Sequence, residues 1–279
     1  MTKAVKVVTF IYIVFSIMLV LSGTLGGIVG EIVYYLAFMI PIAIGFYSSK
    51  SLKYEREEIA GVAEAPDTLL EVKLFDFKRL IPLIAPTVSV VFLISLITSL
   101  VLALFGVSTP AVEDRNVFLM ILLHALVPAV FEELLFRYIP MKLLLPYSKR
   151  WCILYSAICF ALIHFSFLKM PYAFVAGVIF MAIDVAMGSV WPSLILHFVN
   201  NIASVIWVKY CSGMTASVIF ILIMLMLSTV SLVFVYKKRG EYKDMLRGVF
   251  DKGEGFAVTY APVALILISC YLASLNLFS

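Results

Sequence analysis

The chain has 279 residues, with 21 Lys and Arg against 17 Asp and Glu for a formal charge of +4, and 63% of it is apolar. Charged residues make up only 14%, against about 25% in a typical soluble domain. This excludes a disordered chain and argues against a soluble globular fold. No basic stripe with interleaved aromatics lies outside the apolar segments, so nucleic acid is not an expected partner.

Apolar segments fall at 7–23, 27–48, 80–105, 117–136, 151–168, 172–190, 193–210, 215–236 and 256–278. A hydrocarbon core about 30 Å thick needs ~20 apolar residues per helix. The expected fold is therefore all-α: a polytopic membrane helical bundle of about nine spans, with eight as the alternative. The first segment follows Lys3 and Lys6 and ends at Ser22-Gly23-Thr24-Leu25-Gly26-Gly27. That is not a clean small-x-small cleavage site, so an uncleaved anchor is expected. Hydrophilic connectors fall at 49–79 and 237–254. The first lies within an N-terminal unit (1–114) and the second within a C-terminal unit (211–279), on either side of a core (115–210) that holds segments four to seven. No internal repeat is visible, which argues against a transporter with symmetric halves.

The positive-inside rule supports this layout. With a cytoplasmic N-terminus, only Arg115, Lys169 and Lys209 of the 21 basic residues fall outside. Short loops and compact size lean towards a multi-pass protein of a prokaryotic plasma membrane. Cys152, Cys159, Cys211 and Cys270 form no CxxC pair and read as free thiols packed in apolar runs.

Ionisable residues inside apolar spans are costly and therefore candidates for function. They are Glu31, His124, Glu132, Glu133, His164, Asp184 and His197, with Arg137 at a segment end. Glu133 and Arg137 stand at i,i+4, acid first, the favourable order for a pair. That pairing leaves Glu132 free to act as a general base. Phe160 and His164 share one helix face, as do His197 and Asn201. A carboxylate pair, two histidines and an amide on three helices supply a base, its partner and oxyanion donors. The zinc ligand set Glu132, His164 and His197 is an alternative at this point. His124 is expected to be a packed core histidine and Asp184 to pair with a polar neighbour.

The motifs Glu132-Glu133-x-x-x-Arg137, Phe160-x-x-x-His164 and His197-x-x-x-Asn201 resemble, in order and placement, those of the CAAX-protease and bacteriocin-processing family of intramembrane peptidases. The stretch Gly177 to Trp191, running into Pro192, resembles the segment before the last motif. The resemblance covers about 115–210. It implies peptide hydrolysis without metal or cofactor on a peptide or protein substrate at the membrane. By this resemblance Glu132 activates water, His164 helps to hold it, and His197 and Asn201 form the oxyanion hole. Glu133, Arg137 and Phe160 are then supporting residues. A zinc-dependent membrane protease, or a non-catalytic adaptor or bacteriocin-immunity protein, is the competing reading.

Depth poses a constraint. At 1.5 Å per residue, Glu132 lies ~8 Å from the cytoplasmic edge of its segment and His164 ~20 Å from the start of its own. The groups meet only if segment five starts in water or tilts, or if segment four continues beyond Arg137. The run Met141 to Leu145 before Pro146 allows that continuation.

Overall fold

The structure, a computed structural model, describes residues 2–25, 27–60, 76–106, 116–211 and 213–250, with the side chains of 2 and 53–60 not described. The expected segment 256–278 and residues Arg115, Lys252 and Cys270 lie outside the described residues. All regular structure among the described residues is helical. The helices are α1 (Thr2–Leu25), α2 (Gly27–Ala60), α3 (Phe77–Leu104), α4 (Val117–Leu144), α5 (Lys149–Leu162), α6 (Met170–Met187), α7 (Trp191–Tyr210), α8 (Met214–Lys237) and α9 (Arg239–Leu246). Seven of the described helices are long and apolar enough to cross a membrane: α1, α2, α3, α4, α6, α7 and α8.

Segment four does continue past Arg137, to Leu144. Its continuity depends on two π turns, Ile121–Leu126 and Leu134–Tyr138. Pro128 and Pro140 follow them. Each proline lacks the N–H that would bond the carbonyl four residues earlier, at His124 and Phe136. The helix widens instead, so that Val127 N–H bonds the Leu122 carbonyl and Ile139 N–H bonds that of Leu134. The Ser156 hydroxyl of α5 donates to the Phe136 carbonyl, satisfying an acceptor that would otherwise be buried without a partner. The two prolines thus bracket Glu132 and Glu133 within a helix whose face is re-aimed on either side.

Segment five differs from expectation. Instead of a span over 151–168 it forms α5, whose 14 residues extend ~21 Å, short of a ~30 Å core. The cause is local. Phe165 takes a left-handed conformation, φ 43°, which is costly for a bulky side chain. His164 and Phe165 close the end through N–H bonds to the Ala161 and Leu162 carbonyls, at 3.3 and 3.2 Å. Ser166 then begins the connection into α6, its carbonyl accepting from Met170 N–H at 2.9 Å.

One apolar cluster joins α1, α2, α4, α5 and α6. Ile11, Tyr12 and Phe15 of α1 are fully buried. Tyr12 stacks on Phe136 at 5.0 Å, and Phe15 meets the same ring edge-on at 5.8 Å. A second cluster joins α3, α6 and α7 around Phe180 and Leu196. On the periphery α8 buries only Ser228, which bonds Ser89 of α3 at 2.6 Å. Much of its remaining apolar surface points outward, as suits a lipid-facing span, while Phe220 packs on Phe92 and Trp207. The polar helix α9 packs against α6, and Tyr242 donates to the Arg79 carbonyl at 3.2 Å.

Helices α5 and α6 approach closely at Gly177, where an added Cβ would lie 2.9 Å from the Ala157 Cα and 3.0 Å from its Cβ. Gly177→Val is expected to cost about 1–3 kcal/mol by overpacking. Thermal unfolding in detergent checks this: the midpoint falls, whereas an unchanged midpoint contradicts the close approach.

Candidate active site

The continuation of α4 removes the depth conflict. Glu132 lies ~18 Å from the Leu144 end of α4, and His164 ~22 Å from the Lys149 end of α5. A connection of four residues joins the two helices. His164 follows the end of α5 instead of lying on the helix face with Phe160. Its Nδ1 donates to the Phe160 carbonyl at 2.8 Å, taking the acceptor that the unwound backbone has left free. With the proton fixed on Nδ1, the neutral ring presents a lone pair at Nε2.

The Glu133–Arg137 pair is present. Arg137 Nε lies 3.1 Å from Glu133 Oε2, and both side chains have 0% exposure. The guanidinium sits 4.2 Å over the Phe160 ring and 5.7 Å from that of Phe180. This flat cation over aromatic faces compensates part of its lost hydration. The other Glu133 oxygen, Oε1, meets His197 Nδ1 at 2.6 Å. On the opposite side of the same imidazole, Nε2 lies 3.8 Å from Glu132 Oε2. The Glu132 side chain keeps 15% exposure where Glu133 keeps none, so Glu132 is the carboxylate that a small molecule can reach.

Phe160 connects the three motifs. Its ring stacks under Arg137 and meets His164 and His197 edge-on, at centroid distances of 5.1 and 5.8 Å. Asn201 stands one turn beyond His197 on α7, half-buried, and its amide makes no hydrogen bond among the described residues. Among the described residues no group of three or more His, Cys, Asp or Glu side chains is arranged to hold a metal ion.

One expectation changes. His124 is exposed on the outside of α4, because the π turn that contains it directs the ring away from the core and from Glu132. Asp184 meets the polar neighbour Ser193: its Oδ1 accepts the Ser193 N–H at 2.9 Å, both groups buried. Asp184 thereby caps the first turn of α7 and ties it to the end of α6, where Gly188 turns left-handed at φ 67°. His197 is one turn after Ser193, so this cap sets its height. Ser193 and Phe180, 5.8 Å from His197, carried no signal in the sequence, one lying beside Pro192 and the other within an apolar run.

The proton inventory limits the chemistry. Nδ1 of His197 donates to Glu133, so Nε2 donates only when the ring carries both protons. Two carboxylates, one reachable and one locked, thus share one imidazole.

Residues 114–203 match the family model described as Rce1-like, type II CAAX prenyl endopeptidase Rce1-like. The matched stretch contains Glu132, Glu133, Arg137, Phe160, His164, His197 and Asn201, in agreement with the resemblance read from the motifs. Comparison with curated proteins and with solved structures yields no match.

Removing Arg137 takes from the buried Glu133 charge its arginine partner. Arg137→Leu is expected to destabilise by about 3–5 kcal/mol. Adding Glu133→Gln removes that charge and recovers part of the loss. Unfolding midpoints of the two single variants and the double variant check this, and strictly additive effects contradict a coupled pair.

Proposed function

We propose, for a chain whose residues 114–203 match the Rce1-like family model of CAAX prenyl endopeptidases, that peptide hydrolysis proceeds by attack of a water molecule activated by Glu132. The protein is a multi-pass membrane peptidase at the level of its family. The finer reading assigns roles to individual atoms. Glu132 removes a proton from water, and the resulting hydroxide attacks the carbonyl carbon of the scissile bond. His164 Nε2 accepts the water's second hydrogen and orients it. His197 Nε2–H, in the doubly protonated ring, and the Asn201 amide donate to the oxygen that becomes negative. Glu132 then delivers its proton to the departing amine nitrogen, and the C–N bond breaks. Glu133 holds His197 through Nδ1, and Arg137 offsets the charge of Glu133. The substrate is a membrane-associated or small peptide.

The observation that carries this reading is the imidazole of His197, held by Glu133 at 2.6 Å and facing Glu132 at 3.8 Å. It distinguishes the two adjacent carboxylates: one is spent on structure, and one remains available for proton transfer. Lipid-embedded helices exclude bulk water around them, which strengthens each interaction in the site.

Glu132→Gln keeps the shape of the side chain and removes the base. Cleavage of an endogenous membrane peptide is expected to disappear while the protein's level in the membrane stays unchanged. Asn201→Ala is expected to lower kcat by about 10²–10³, the usual effect of losing one oxyanion donor. A Glu132→Gln protein that still cleaves contradicts the assignment of the base.

A further inference from the structure

Beyond the motif residues, a cavity of about 240 Å³ lies between α3, α6 and α7. We propose that it is the subsite for the apolar side chain of the substrate residue next to the scissile bond, with Asn200 holding the backbone amide of that residue. The inference rests on the peptidase reading of the site and assigns it a specificity pocket.

Position supports this. Positions 197, 201, 204 and 208 of α7 follow helical spacing along one stripe. His197 and Asn201 belong to the catalytic set, and Ser204 and Val208 line the cavity. The cavity therefore continues the catalytic row towards the Tyr210 end of α7. Tyr172 bridges the two regions: it lines the cavity and packs against both apolar clusters, one holding Phe160 and the other Phe180.

The lining chemistry selects the occupant. The far wall is an aromatic group in which Phe92 meets Trp207 at 4.9 Å and Phe220 touches them at 5.4 and 5.6 Å. Along the sides, the Ser99 and Ser204 hydroxyls donate one turn back, to the carbonyls of Ser95 at 2.8 Å and Asn200 at 3.2 Å. With those hydrogens committed, their oxygens offer only lone pairs. The Asn200 amide makes no hydrogen bond among the described residues. It offers both a donor and an acceptor, the complement of a peptide group. At about 30 Å³ per water the space equals roughly eight waters, which accommodates one large side chain with its backbone link.

The full chain in liposomes, wild type and Glu132→Gln, is irradiated with a mixed-sequence octapeptide library carrying a diazirine analogue of leucine. Adducts are expected on residues 88–99 and 200–208 in both proteins. Ala203→Trp and Ser99→Phe fill the cavity from opposite walls, and each is expected to reduce labelling about tenfold. In the active protein the same fillers shift cleavage preference from Leu or Phe towards Ala, at the residue beside the cut, by about tenfold or more. Adducts elsewhere, labelling indifferent to both fillers, or a uniform loss across all peptides overturns the subsite. So does a diazirine phospholipid that labels these stretches and is not displaced by peptide. A Glu132→Gln protein that still cleaves defeats the general-base reading alone, because the labelling pattern decides the subsite independently.

Discussion

The buried ion pair between Glu133 and Arg137 is the constraint on which the rest of the site depends. Two charges removed from water are costly, and their attraction offsets that cost only with good geometry and further partners. Here the further partners are named: His197 Nδ1 on the carboxylate, and the Phe160 and Phe180 rings beside the guanidinium. Because the pair fixes Glu133, it fixes His197. Because it fixes Arg137 over Phe160, it fixes the ring against which His164 also rests. A single buried pair thus sets the relative positions of groups from α4, α7 and the end of α5.

The helix that carries this pair is not regular. Two widened turns accompany the prolines of α4, and Glu132 and Glu133 lie on the regular stretch between them, where neighbouring residues point about 100° apart. The orphaned Phe136 carbonyl is met by Ser156, so the irregularity also binds α4 to α5. On the other side, Asp184 caps α7 through Ser193 and brings His197 to the level of the glutamates. Backbone accommodation, more than side-chain chemistry, decides which groups meet.

That division explains what the sequence could convey. The positions of the seven described spans were legible from hydropathy, and the Glu133–Arg137 pair from i,i+4 spacing, because both depend on local periodicity. The approach of His197 to Glu132 and Glu133 was suggested by the motif set and not by spacing, since no local rule links separate helices. The early end of α5 was hidden because an apolar run gives no sign that Phe165 turns left-handed. His124 was misjudged because a proline four residues later, by widening the turn, alters which face a residue takes. Asp184 was noticed as a buried charge, but its partner is a backbone N–H, which no side-chain pattern reports.

In the proposed mechanism Glu132 acts on water and not on the substrate carbonyl directly. A single turnover in water enriched in heavy oxygen tests it most directly. The account predicts that the heavy isotope appears in the new carboxylate of the cleaved peptide at the first turnover, and that the Glu132 carboxylate stays unlabelled. Ordinary oxygen in that first product, with the label found later in Glu132, would mean that the glutamate itself had attacked the peptide, and would contradict the account.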